Sequence, residues 1–265
     1  MDFLAPVELL FSHLPIFLLV LFRMAGIFTV APMLSSMVIP VQVKMFIALL
    51  ITCAVFPSVL AGAQGMVLPQ TMMALIIGIT YEILVGIVLG FAVTLLFVGV
   101  QLGSELISQQ MSLSMAQSFD PMTNATSDVV SKFYGMLMTL IFVMMDGHVI
   151  LINALVSTYK TVPLLTATFN ESMLDYLIGD VLMSAFRMGL QIAGPAVVAI
   201  FLATLALGFI SRTMPQLNIL AAGFPMRIML ALLLLVACLG SVCALFQNEL
   251  IGVLHRVPDI FKLGM

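Results

Sequence analysis

Charge is what this sequence has least of. Acidic and basic side chains make up 8% of its 265 residues, against about a quarter in a soluble domain. The 9 basic and 12 acidic groups balance to −3. So thin a charge cover excludes a water-soluble monomer. Without a basic stripe or a block of like charge, the chain also offers no surface for a nucleic-acid backbone. Tryptophan is absent, and the three cysteines, Cys53, Cys238 and Cys243, lie in apolar runs with no Cys-x-x-Cys spacing and no histidine pair nearby. They are expected as buried hydrophobes. No Gly-rich loop ends in Lys-Ser or Lys-Thr to hold a nucleotide, and no serine has a histidine and acid set beside it. An enzyme is therefore not expected, nor any cofactor or metal. His148 beside Asp146 is expected as a hydrogen-bonded structural histidine, since His13 and His255 stand far away in sequence.

What is present is apolar: 63% hydrophobic residues, a mean hydropathy of +1.26 and 22 methionines. A membrane-spanning helix needs about 20 mainly apolar residues, and six such segments are expected at 9–31, 45–62, 71–100, 133–157, 181–210 and 228–247. Strand-like alternation is missing, so the expected fold is all-α. Pro, Asn, Asp and Ser gather in joints at 32–44, 101–132, 158–180 and 211–227, and no composition shift divides residues 1–265 into two domains. The start, Met1-Asp2-Phe3, lacks the cationic region of a cleaved signal, so the first apolar segment is expected to be retained. Loop cations divide almost evenly, Lys160, Arg256 and Lys262 against Lys44, Lys132, Arg212 and Arg227, which gives no orientation.

Charges also fall inside the apolar runs. Arg23, Glu82, Asp146 and Arg187 would each cost about 2.5 to 3.5 kcal/mol at a lipid-facing helix centre, so pairing within a bundle or across subunits is expected. A proton-responsive Glu82 is the lesser alternative. Gly78, Glu82, Gly86 and Gly90 recur every fourth residue, a ridge of small side chains on which another helix can pack closely, and Gly99 and Gly103 repeat the spacing. Gly194-Pro195 is expected to kink its segment and to pack on protein or line a cavity.

Several joints carry more than composition. They are Arg23-Met24-Ala25-Gly26 with Ala31-Pro32-Met33-Leu34, Pro40 and Lys44, and then Gln101-Leu102-Gly103 through Phe119-Asp120-Pro121 to Gly147-His148, Ser157-Thr158-Tyr159 and Pro163. The most specific is Pro215-Gln216-Leu217-Asn218 with Gly223-Phe224-Pro225-Met226-Arg227-Ile228. In this order, and over nearly the whole chain, these joints resemble the FliR family of type III export-gate subunits. Gly147-His148 looks flagellar, the injectisome subunit being the alternative, and Asp146 stands where flagellar members often carry Asn or Gly.

The resemblance implies one FliR-like domain of kinked apolar helical hairpins at the bacterial inner membrane, in the flagellar basal body. One copy would join FliP-like and FliQ-like subunits in an export gate, with FlhB-like and FlhA-like components nearby and unfolded flagellar proteins as cargo. It also implies that the 101–132 connection supplies a pore plug, in which Met111, Met115 and Phe119 form a soft seal and Gln109, Gln110, Ser112 and Ser114 a slippery lining. Arg212 and Arg227 join Arg23, Glu82, Asp146 and Arg187 as expected buried-charge or subunit contacts. Residues alone leave two alternatives: a small-solute transporter built around Glu82 and the Gly-Pro break, or a structural membrane scaffold.

Overall fold

The computed structural model describes residues 5–36, 39–62, 71–111, 129–165, 175–214 and 219–263. All regular structure among them is helical. The elements are α1 (Ala5–Val30), α2 (Val41–Gly62), α3 (Met72–Gln110), α4 (Val129–Met144), α5 (Gly147–Thr161), a π-helical segment (Tyr176–Leu182), α6 (Met183–Thr213) and α7 (Ile219–Leu263). Among the described residues five helices are long and apolar enough to cross a membrane, and α4 with α5, bent by 64° at their break, would make a sixth if the pair is one span.

Three boundaries differ from the sequence expectation. α3 continues ten residues into the 101–132 joint, because nothing from Gln101 to Gln110 breaks a helix and Leu102, Leu106 and Ile107 keep its apolar pattern. The 133–157 segment is instead two helices, interrupted where Asp146 takes a left-handed conformation at φ 54°. Its carbonyl still accepts the amides of Val149 and Ile150, at 2.8 and 3.0 Å, so α5 starts afresh. Asp, Asn and Gly are the residues that enter this region most readily, which gives a backbone reason for all three at that position. Finally, α7 begins inside the expected 211–227 joint and runs for 45 residues.

The chain forms two compact units, each assembled from discontinuous segments. One comprises Met1–Thr94, Asp146–Asp180 and Ile251–Met265. Here Ile16, Leu19, Val20, Arg23, Met24, Ile27 and Phe28 of α1 are buried at intervals of three or four, so a single helix face enters the core. α1 packs on α2, and α2 touches α5. Val59 and Leu164 close a cluster with Ile16, Leu19 and Val20.

The other unit comprises Leu95–Met145 and Val181–Leu250. Gly99 and Gly103 of α3 meet Ala185 and Gly189 of α6 so closely that a Cβ on either α3 glycine would lie within 2.6 Å of a carbonyl oxygen. Phe97 stands edge-on to Phe142 of α4 and Phe246 of α7, with ring centroids 5.7 and 5.1 Å away. The Ser104 hydroxyl donates to the Gln101 carbonyl at 2.7 Å and lies 3.1 Å from the Ser131 hydroxyl.

Much apolar surface is left outside both cores. Phe209 of α6 is 74% exposed and Met229 of α7 is 72% exposed, and Phe201, Leu202, Leu233 and Val236 are exposed beside them. Water is a poor solvent for such faces, so lipid or other protein covers them. Two local expectations fail here. Cys53 is exposed and Cys238 and Cys243 are half-buried, because their helix faces turn away from the core. Pro195 lies inside α6, and its side chain is exposed rather than packed on the described part of the chain.

Candidate functional site

The core face of α1 carries a cation. Arg23 recurs with Leu19, Val20, Ile27 and Phe28 on the buried side of the helix, and its side chain is wholly inaccessible. An isolated guanidinium could not remain there, since burying an unpaired charge is costly. Glu82, equally buried on the facing side of α3, supplies the opposite charge, and Arg23 Nε donates to Glu82 Oε2.

The remaining donors are spent on the end of α5. Nη1 donates to Thr158 Oγ1 at 3.1 Å, and Nη1 and Nη2 both donate to the Val162 carbonyl at 3.3 Å. The Thr158 hydroxyl in turn donates to the Leu155 carbonyl at 2.6 Å. The second Glu82 oxygen accepts the Leu165 amide at 3.1 Å. Arg23 Cζ sits 4.5 Å from the ring centroid of Tyr159, whose hydroxyl donates to the Val20 carbonyl at 3.1 Å. The pair thus ties three stretches of chain, α1, α3 and the turn after α5, through groups that all find partners.

Close backbone approach is what makes the pairing possible. Gly86 and Gly90 face α1, where a Cβ on Gly86 would fall 2.2 Å from the Arg23 carbonyl oxygen and one on Gly90 would fall 3.0 Å from the Ala31 nitrogen. Gly78 is covered by the side chain of Leu165, whose own backbone is left-handed at φ 68°. Glu82 therefore lies in the same glycine stripe that admits α1.

The other expected charges are placed differently. Asp146, Arg187 and Arg212 are exposed rather than buried, because each lies on a helix face or break turned away from its core, and Arg227 is half-buried. His148 also departs from expectation: its Nδ1 is buried and makes no hydrogen bond among the described residues.

Of the expected plug residues, Gln109 and Gln110 are exposed at the end of α3 rather than in a loop, while Met111 just beyond is buried and its amide donates to the Ile107 carbonyl at 3.0 Å. Ser112, Ser114, Met115 and Phe119 lie outside the described residues, as does the turn at 215–218.

Sequence reasoning missed Gly26, Thr158, Tyr159, Val162 and Leu165 as members of the buried cluster. Gly26 had a readable signal. It follows Arg23 by three residues as Gly86 follows Glu82 by four, so each helix places a charge and a glycine on one face. Val162 and Leu165 bond to the ion pair only through backbone groups, for which no side-chain pattern exists.

Comparison with known proteins supplies the context. Residues 14–252 match the model of the family described as bacterial export proteins, family 1. The flagellar biosynthetic protein FliR of Escherichia coli (strain K12) is 30% identical over 95% of this chain and 94% of its own. The protein of the same name from Bacillus subtilis (strain 168) is 26% identical over 94% and 95%. That from Aquifex aeolicus (strain VF5) is 26% identical over 93% and 91%.

Proposed function

The chain belongs to the bacterial export proteins, family 1, and from that premise we propose that it is a core subunit of the flagellar type III export gate. In this reading it helps to form and close the channel through which unfolded flagellar proteins cross the inner membrane. It acts as one FliR-like domain over residues 1–265, in the flagellar basal body. The observation that carries the reading is the extent of the family match, 14–252, together with FliR proteins covered over more than nine-tenths of their length.

The distribution of apolar surface supports it. α2, α6 and α7 expose more large hydrophobics than a lone soluble body tolerates, and a gate subunit would bury such faces against FliP-like and FliQ-like neighbours and lipid. FlhB-like and FlhA-like components would complete the assembly. Arg187, Arg212 and Asp146, exposed on this chain, are suited to ion pairs across subunits. The 109–119 stretch is the plug, with Met111, Met115 and Phe119 sealing and Gln109, Gln110, Ser112 and Ser114 lining the path. The subunit works by shape and packing, not by covalent chemistry; the energy for export enters through other components.

Native mass spectrometry of the detergent-extracted complex, with the chain expressed alone and with its FliP-like and FliQ-like neighbours, tests this reading. One copy inside a large hetero-oligomer is expected. A monomer or homodimer indifferent to those neighbours would overturn it and favour the solute transporter.

A further inference from the structure

Residues 162–165, just past the end of α5, are fastened at both ends, and at the far end against the preference of the backbone. The Val162 amide finishes α5 by donating to the Thr158 carbonyl at 2.7 Å, and its carbonyl accepts both Nη groups of Arg23. Leu164 is buried with Ile16, Leu19, Val20 and Val59. The Leu165 amide donates to Glu82 Oε1, and its side chain fills the space above Gly78, where a Cβ would fall 2.3 Å from Leu165 Cδ2.

Leu165 holds φ 68°. That conformation crowds the Cβ of an L-residue, and leucine has no short polar side chain to bond locally in return. Such an outlier persists only where its surroundings over-determine it. Here two contacts do so: a charge-assisted bond to a wholly buried carboxylate, and the fit into a notch that only glycine leaves open.

The support beneath is stiffer than the stretch it holds. α1 and α3 meet backbone to backbone at Gly26 and Gly86, and Arg23 and Glu82 remain paired whatever lies over them. Release needs no helix to unwind. The φ of Leu165 sets the direction of its side chain relative to the amide that Glu82 holds, so rotation there withdraws the side chain from the notch and leaves the amide bond alone to hold the stretch down.

We propose that residues 162–165 form a strained strap, held on α3 by Glu82 and the Gly78 notch, which opens when Leu165 leaves the left-handed region while α1, α3 and their ion pair stay in place. On opening, the Arg23 Nη groups and Glu82 Oε1 lose the partners that the strap supplies and must be solvated instead, so the strap sets whether the pair is dry or wet. The inference concerns one compact unit and stands whether or not the export-gate reading holds.

Hydrogen–deuterium exchange of the full chain in detergent, read by mass spectrometry, compares the amides of Val162, Leu164 and Leu165 with those of α1 and α3 around Arg23 and Glu82. In the wild type the strap is expected to exchange faster than this support, through an opening of its own. Gly78→Ala puts a methyl group into the notch, where it meets only the ends of flexible leucine side chains, so strap exchange should rise about tenfold with the support unchanged. Adding Leu165→Gly to Gly78→Ala removes both the clash and the left-handed penalty, and should return the strap towards wild-type protection. Leu165→Ala and Leu165→Gly on their own both lose the long side chain and differ chiefly in the left-handed penalty, so the alanine strap should exchange about tenfold faster than the glycine one. Strap and support exchanging together in the wild type, an unmoved strap in Gly78→Ala, no rescue by Leu165→Gly, or equal rates for the alanine and glycine variants would each overturn the proposal.

Discussion

Gly26 of α1 and Gly86 of α3 meet backbone to backbone. A Cβ on Gly26 would lie 2.4 Å from the Ile83 carbonyl oxygen and 3.1 Å from the Gly86 Cα, and one on Gly86 would lie 3.1 Å from the Gly26 Cα. Because both obstacles are backbone, no side chain can swing aside to make room. The contact sets the distance between α1 and α3, and that distance lets Arg23 reach Glu82.

Gly86→Ala is therefore expected to force the helices apart and cost about 1–3 kcal/mol, the usual penalty of overpacking a tight core. Gly240→Ala, inside α7 with nothing within 4 Å of its Cβ, should leave stability unchanged or raise it by no more than about 1 kcal/mol. Unfolding with sodium dodecyl sulfate, followed by circular dichroism, compares the two. Equal losses would mean that the close approach does not matter.

Glu82→Leu and Arg23→Leu each strand one buried charge or its partners, at an expected cost of about 3–5 kcal/mol. Removing both together, Arg23→Leu with Glu82→Leu, should cost less than the sum of the single changes, since no charge is then left unpaired. A double-mutant cycle in the same unfolding assay measures the coupling, and simple additivity would contradict a shared pair.

Tyr159 separates two contributions. Tyr159→Phe keeps the ring over Arg23 and removes only the hydrogen bond to the Val20 carbonyl, for an expected loss of about 1 kcal/mol. Tyr159→Leu also removes the ring, which should add about 1–2 kcal/mol. Identical stability of the two variants would show that the ring contributes nothing beyond its bulk.

Asp146 holds φ 54° at the break between α4 and α5, and its side chain makes no capping hydrogen bond. Its role is thus in the backbone. Asp146→Asn and Asp146→Gly should be tolerated, whereas Asp146→Val should cost about 1–3 kcal/mol because a β-branched residue is strained in that region. Loss of function with Asn and Gly as well as Val would instead point to the carboxylate.

Deleting residues 112–118 leaves α3 whole, since that helix ends at Gln110. If the stretch is the plug, the assembled complex should form in normal amount and conduct small ions across a lipid bilayer. An assembled complex that stays ion-tight would remove the plug from this region.

Some of this was plain in the residues. The all-helical fold follows from long apolar runs without alternation, and the glycine stripe at Gly78, Gly86 and Gly90 was visible because helical periodicity is a property of local sequence. The charges of Arg23 and Glu82 were likewise conspicuous against their apolar neighbours. The extension of α3 through Gln110 was not, because Ser104, Ser108, Gln109 and Gln110 look like loop residues by composition while remaining compatible with a helix. The break at Asp146 was hidden for the opposite reason: its neighbours are apolar on both sides, and one left-handed residue leaves no mark in hydropathy.

The sequence by itself determined that the chain is helical, that it needs lipid or protein around it, and that four charges stand within apolar runs. Only the tertiary structure decided which of those charges are buried. Arg23 and Glu82, separated by 59 positions, meet because facing glycines bring their helices into backbone contact, while Asp146 and Arg187 remain exposed. The Val162 carbonyl and the Leu165 amide complete the cluster, and every residue carries such groups, so only the path of the chain could select them.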